Sequence, residues 1–173
     1  MESADLLLTT AEVSIALAGF ASVVSVFGQR YANVEPQVGY HRLRTMVELS
    51  LIATAFSLVP IALNATQTSE PVMWRIASLL FVVVGAPHMV YRYRRLRSAA
   101  SEPAQTRFNP TTWFWVVWGV LAQVSLVLVA VGLVSERAVS GYLFALAYQL
   151  GIGGLYFLRL LESFRPIDPG AAA

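Results

Sequence analysis

Five apolar runs, each long enough to cross a bilayer, constrain this chain more than anything else in it. They cover Leu6 to Gly28, Leu43 to Leu63, Val72 to about Tyr93, Thr111 to Val134 and Val139 to Leu161, and the polar connections between them are short, the longest running from about Arg94 to Pro110. At about 1.5 Å per residue such runs reach roughly 30 to 36 Å as helices, which matches the hydrocarbon core. Backbone groups in lipid must be satisfied within the protein, and nothing alternates at the ten-residue spacing of a membrane barrel. The expectation is an all-α integral membrane bundle of five transmembrane helices forming one domain over residues 1–173, without internal repeats or low-complexity tracts.

Composition agrees. Apolar residues make up 57% of the chain and charged residues 13%, against roughly a quarter charged in soluble domains. There are no cysteines, which removes disulfides, thiol nucleophiles and thiolate metal sites, and all twelve basic residues are arginine. The net charge of +2 is small and its positive members sit at the ends of the apolar runs, as lipid-facing anchors do, so no nucleic-acid partner is expected. The N-terminus carries Glu2 and Asp5 where a signal peptide would carry Lys or Arg, so the first run is expected to stay as a span.

The arginines also set an orientation. With the N-terminus outside, ten of them (Arg30, Arg42, Arg44, Arg92, Arg94, Arg95, Arg97, Arg107, Arg159 and Arg165) fall on the inner face, and two (Arg75 and Arg137) on the outer. Such a bias predicts an N-out/C-in topology. Aromatic belts are expected at the same ends: Trp113, Trp115 and Trp118 with Tyr91 and Tyr93 inside, Trp74 and Tyr142 outside. Asn109 before Pro110 and Ser69 before Glu70 and Pro71 read as helix caps. Pro60 and Pro87 lie inside helices two and three, where each frees the carbonyl four residues earlier, on Phe56 and Val83, and predicts a kink.

Glu12 is the first functional suspect. Starting the first span after it leaves only Val13 to Gly28, roughly 24 Å, which is short, so the acid lies at the interface or within the bilayer. An ionisable group there needs a partner or water. The prediction is that Glu12 faces protein or an aqueous vestibule, with Arg75 and Arg137 as candidate neutralisers. Helix one also carries small residues at helical spacing (Ala11, Ser14, Ala18, Ala21 or Ser22, Ser25), and helix five does the same with Gly141, Ala145, Gly151, Gly153 and Gly154. Close helix packing is the plain account of both; the sharper one is that Ser14, Ser22 and Ser25 border a hydrated path.

Depth arithmetic singles out further polar groups. Glu48 and His88 are equidistant from the middle of the loop joining helices two and three, so they should share a layer near the inner face, though Arg44 competes for Glu48 from four residues away. Gln123 and Gln149 are equidistant from the turn joining helices four and five and fall near the midplane, which predicts that they bond to each other or point into one polar core. The run Arg92, Arg94, Arg95 and Arg97 either fixes topology or gathers anionic lipid or a cytoplasmic partner. His41 and His88 lack Glu or Cys at ligand spacing, so no metal and no cofactor is expected. No nucleophile elbow, triad spacing or phosphate loop is present, and an enzyme is not expected.

The pattern Ala11-Glu12, six residues, then Gly19-Phe20 resembles the first helix of uncharacterised small bacterial multispanning membrane proteins. That resemblance covers mainly helix one, implies no activity, and makes a bacterial cytoplasmic (inner) membrane the expected location. Taken together, the residues lead to the expectation of a homo-oligomeric membrane channel or passive ion-transport protein, cation-preferring through Glu12. Its alternative is a non-conducting scaffold that anchors a cytoplasmic partner by its arginine-rich face.

Overall fold

A computed structural model describes residues 2–28, 36–99 and 110–162. It is all-helical: α1 (Glu2–Gly28), α2 (Pro36–Ala65), α3 (Glu70–Ala99), α4 (Pro110–Val131), a 3-10 turn at Ser135–Arg137, and α5 (Ala138–Glu162). All five helices are long and apolar enough to span a membrane, over Ser3–Val24, Leu43–Ala65, Glu70–Tyr91, Trp113–Val131 and Ser135–Leu161. Large apolar side chains such as Ile15, Phe20, Leu51, Val83 and Val131 stand outward along them. Water would penalise that surface and hydrocarbon would solvate it.

Helix ends differ from the apolar runs where backbone chemistry intervenes. Both α2 and α3 continue well beyond their apolar runs into polar sequence at one end, reaching Pro36 and Ala99. Conversely, α4 stops at Val131 rather than Val134. Gly132 adopts φ +81°, and the amides of Gly132 and Leu133 donate to the carbonyls of Val129 and Leu128 at 3.0 Å each. This paired closure with a left-handed glycine ends a helix while satisfying its last carbonyls. The guanidinium of Arg75 lies directly over Gly132, in the space a Cβ would take, so its charge meets the negative end of the α4 dipole. At the start of α3 the Met73 amide donates to the Ser69 carbonyl at 2.9 Å, the first bond of the helix. The cap expected at Asn109 lies outside the described residues.

Consecutive helices run antiparallel. One buried cluster gathers Leu7 from the start of α1, Phe56 from the second half of α2, Trp74 and Phe81 from α3, Leu126 from α4 and Tyr142 from the start of α5. A second gathers Ala21, Met46 and Leu160 from the other ends of α1, α2 and α5. The first lies toward the two short turns, hereafter the turn end. The second lies toward Arg44, Arg94 and Arg159, the arginine end. Helices α2 and α5 occupy the middle, with α1 against both on one side and α3 and α4 packed together on the other.

The turn-end core is aromatic. Phe56 and Phe81 stack with ring centroids 4.3 Å apart, and Tyr142 meets Phe81 and Trp74 at 5.8 and 5.5 Å. Trp74 and Tyr142, expected as an outer aromatic belt, are instead buried at 2% and 0% exposure, at the turn end and on the inward faces of their helices. The Tyr142 hydroxyl donates to the Phe56 carbonyl at 2.6 Å. Pro60 lies inside α2 and lacks the N–H that would otherwise bond this oxygen, so Tyr142 replaces a donor that the sequence removed.

Candidate functional site

In the arginine-end half, α2 to α5 line a half-open cavity of about 140 Å³. Gln123 and Gln149 both line it, each within one residue of the centre of its span, so the two amides share one polar space at mid-depth. His88, Trp115 and Arg159 line it nearer the arginine end, and Leu49, Ile52, Met89, Val116 and Ile152 supply apolar wall. No carboxylate is among the described lining residues.

Glycines on three different helices shape this lining. A Cβ at Gly85 would stand 3.0 Å from Gln123 Nε2, one at Gly119 would overlap the Tyr148 hydroxyl and Met89 Cε, and one at Gly151 would press on the Trp115 ring at 3.2 Å. Each glycine thus seats a side chain that borders the cavity. Tyr148 is further fixed by donating to the Trp115 carbonyl at 3.1 Å, which ties α5 to the first turns of α4. On the same hairpin the Ser125 hydroxyl contacts the carbonyls of Ala122 and Gly141 at 2.8 and 3.2 Å, and Gly141 lies against Val129.

Gln123 Oε1 is enclosed and has no hydrogen-bond partner among the described residues. Its Nε2 lies beside Gly85, and no direct bond joins Gln123 to Gln149. A buried amide oxygen left without a partner in this way is costly.

The other residues singled out in the sequence are dispersed. Glu48 accepts from Arg44 Nε at 2.7 Å and is not among the residues lining the cavity, which His88 does line. Ser14 is buried and donates to the Thr10 carbonyl at 2.7 Å, whereas Ser22 is exposed and donates to Ala18 at 2.9 Å. These hydroxyls return to their own helix, and neither lines the cavity. Arg94 is exposed; the side chains of Ser25, Arg92, Arg95 and Arg97 lie outside the described residues.

Glu12 is also away from the cavity. The buried face of α1 is Leu7, Ala11, Ser14 and Ala21, and one residue beyond Ala11 turns about 100° around a helix, which carries Glu12 outward to an exposed position. It lies within two residues of the centre of its span. No hydrogen bond or ion pair engages it among the described residues, and Arg75, one of its candidate neutralisers, is seated on Gly132 instead. Within one chain Glu12 therefore does not face protein.

Sequence reasoning missed Tyr148, Tyr156 and Arg159 as lining residues, although a signal existed. Gln149, Ile152, Tyr156 and Arg159 recur at three- and four-residue intervals and so share one face of α5. Among the described residues no three His, Cys, Asp or Glu side chains converge as a metal site would require. No protein family, curated protein or solved structure compared with the chain matches it.

Proposed function

We propose that the protein is a homo-oligomeric membrane channel or passive ion-transport protein of a bacterial cytoplasmic membrane, N-out/C-in, in which copies meet through α1 around Glu12. The observation carrying this reading is the position of Glu12: near the centre of a candidate span, on the outward face of its helix. In a lone bundle that carboxylate would meet acyl chains at a cost of about 3 kcal/mol or more. Assembly around an aqueous path returns it to water, and a ring of such acids attracts cations.

The same face supports close approach between copies. Ala16 and Gly19, four and seven residues after Glu12, stand on the same outward face, and a Cβ at Gly19 would have nothing within 4 Å. Small residues on a membrane helix let a second backbone come near. The ion path then runs between chains, separately from the cavity inside each one.

The deciding experiment is reconstitution of the purified protein in planar bilayers or liposomes. The expected result is cation-selective conductance that loses selectivity in Glu12→Gln, with the oligomer intact on cross-linking. A stable oligomer without conductance would favour the partner-anchoring scaffold, and a monomer without conductance would remove the reading altogether.

A further inference from the structure

Two primary amides stand unbonded in the middle of the bundle. Neither Gln123 nor Gln149 makes a hydrogen bond among the described residues, and both line the half-open cavity near the centres of their spans. We propose that this cavity is a binding site for a small uncharged molecule, an apolar body about the size of a benzene ring ending in a carboxamide, whose head pairs with these glutamines.

The glutamines decide the head. On α5 the residues Ala145, Leu146 and Ile152 are buried, and Gln149 lies three or four positions from each, on the same inward face. Neither of its amide atoms is enclosed in the way Gln123 Oε1 is, so its N–H groups and its oxygen are open to an occupant. A primary amide both donates and accepts, and a ligand carboxamide carries the same set, so the two can exchange a pair of N–H···O bonds. Gln123 stands at the same depth with Nε2 beside Gly85. Its terminal torsion is broad and two-fold, so a half-turn exchanges the enclosed oxygen for the nitrogen and lets the amide adapt to the far side of the head.

Depth decides the charge. Arg159, the permanently charged member of the described lining, is ten residues along α5 from Gln149, roughly 15 Å. It has an interaction of its own, as do His88, Tyr148 and Tyr156, and none of these four is needed to hold the head. An ion seated at the amides would lack a countercharge among the described lining residues at that depth, which is costly in the middle of a span.

Shape decides the body. Ile52, Met89, Val116 and Ile152 make apolar wall, and Trp115 adds ring surface. A volume of about 140 Å³ is close to that of a dry cavity of about 150 Å³ that admits benzene. Glycines hold this space open: a Cβ at Gly119 would overlap the Tyr148 hydroxyl and Met89, and one at Gly151 would press on Trp115 at 3.2 Å. The lining is therefore set before a ligand arrives, which lowers the ordering cost of binding. Water alone would satisfy the amides and leave the apolar wall wet, whereas a ring bearing one amide covers both.

Benzamide is the probe. Its controls are acetophenone, which keeps the ring and the acceptor but lacks the donor, ethylbenzene, which lacks both, and benzoate, which is charged. Each is titrated calorimetrically into the full chain in nanodiscs, with the heat of partitioning into empty nanodiscs subtracted. Benzamide is expected to bind saturably, acetophenone about fivefold more weakly, as the loss of one net hydrogen bond implies, and ethylbenzene and benzoate more weakly still. Gln149→Leu should bring benzamide down to the affinity of acetophenone while ethylbenzene binds as before. Val116→Phe, which fills the cavity, should abolish binding of all four while the protein stays monodisperse. Ethylbenzene binding as tightly as benzamide would leave only an apolar hole, and benzoate binding more tightly would make the site an anion site; either result overturns the proposal. So does the absence of saturable benzamide binding, or binding indifferent to Gln123→Leu, Gln149→Leu and Val116→Phe alike. None of these outcomes depends on Glu12 or on conductance.

Discussion

At the turn end, Phe56, Trp74, Phe81 and Tyr142 fill the space between α2, α3 and α5; further along the same helices, Gly85, Gly119 and Gly151 leave room that Gln123, Tyr148 and Trp115 border. Both halves contain polar groups where polar groups are costly. At the turn end the Phe56 carbonyl, freed by Pro60, receives the Tyr142 hydroxyl. Other polar atoms go without: Gln123 Oε1 in the cavity half and Ser78 Oγ at the turn end are both buried with no partner among the described residues. The contrast is one of packing: rings fill one half while glycines leave room in the other, so the packing density of a helical bundle can change within a few turns of the same helices.

Large truncations should break this contrast most visibly. Phe81→Ala removes a ring that stacks on Phe56 and touches Tyr142, and about 3 to 5 kcal/mol of stability should go with it. Met89→Ala, beside existing space, should fall at the low end for such changes, about 2 kcal/mol. Both are read from unfolding of the purified protein in a fixed detergent or SDS series. Equal losses would mean that the cavity half is packed as tightly as the other.

Next in size is the proline and its replacement donor. Tyr142→Phe leaves the Phe56 carbonyl buried and unbonded, at an expected cost of about 1 to 2 kcal/mol. In a Pro60→Ala background the residue at position 60 supplies its own N–H, so the same change should cost markedly less; a double-mutant cycle measures the coupling. Identical costs in the two backgrounds would separate Tyr142 from Pro60.

The smallest effect is expected at Gln123. With no partner to lose, Gln123→Leu should change stability by no more than about 0.5 kcal/mol and is as apt to raise it as to lower it. A loss well above that would reveal a bond for Gln123 that the apo bundle does not contain, and would sharpen the site by naming it as a structural tie.

What the sequence disclosed and what it withheld divide along depth and rotation. Depth is a count of residues, so five runs announced five helices, and equal distances from a turn put Gln123 and Gln149 in one layer. Rotation depends on packing between helices. The small residues of α1 marked its buried side, with Ala11, Ser14 and Ala21 inward, yet the outward turn of Glu12 one position later went against the rule that acids in spans face protein. Trp74 and Tyr142 were expected on a lipid-facing belt and are buried for the same reason. The close of α4 at Gly132 was hidden because Leu133 and Val134 are as apolar as the helix before them, and only a left-handed backbone distinguishes the stop. Arg159 was counted as a topological anchor, since its view of a cavity exists only once four helices surround it.

Tyr142 and Phe56 are separated by 86 residues, and that interval has a meaning for biogenesis. When α2 leaves the ribosome, its proline has already uncovered a carbonyl, and an unbonded carbonyl is poorly tolerated in hydrocarbon. The hydroxyl that relieves it is translated only after α3 and α4. Until α5 arrives, the nascent α2 depends on translocon walls, interfacial water or a tilted pose to keep Phe56 hydrated. In hydrocarbon, docking of α5 would thus supply α2 with the donor that its own sequence lacks.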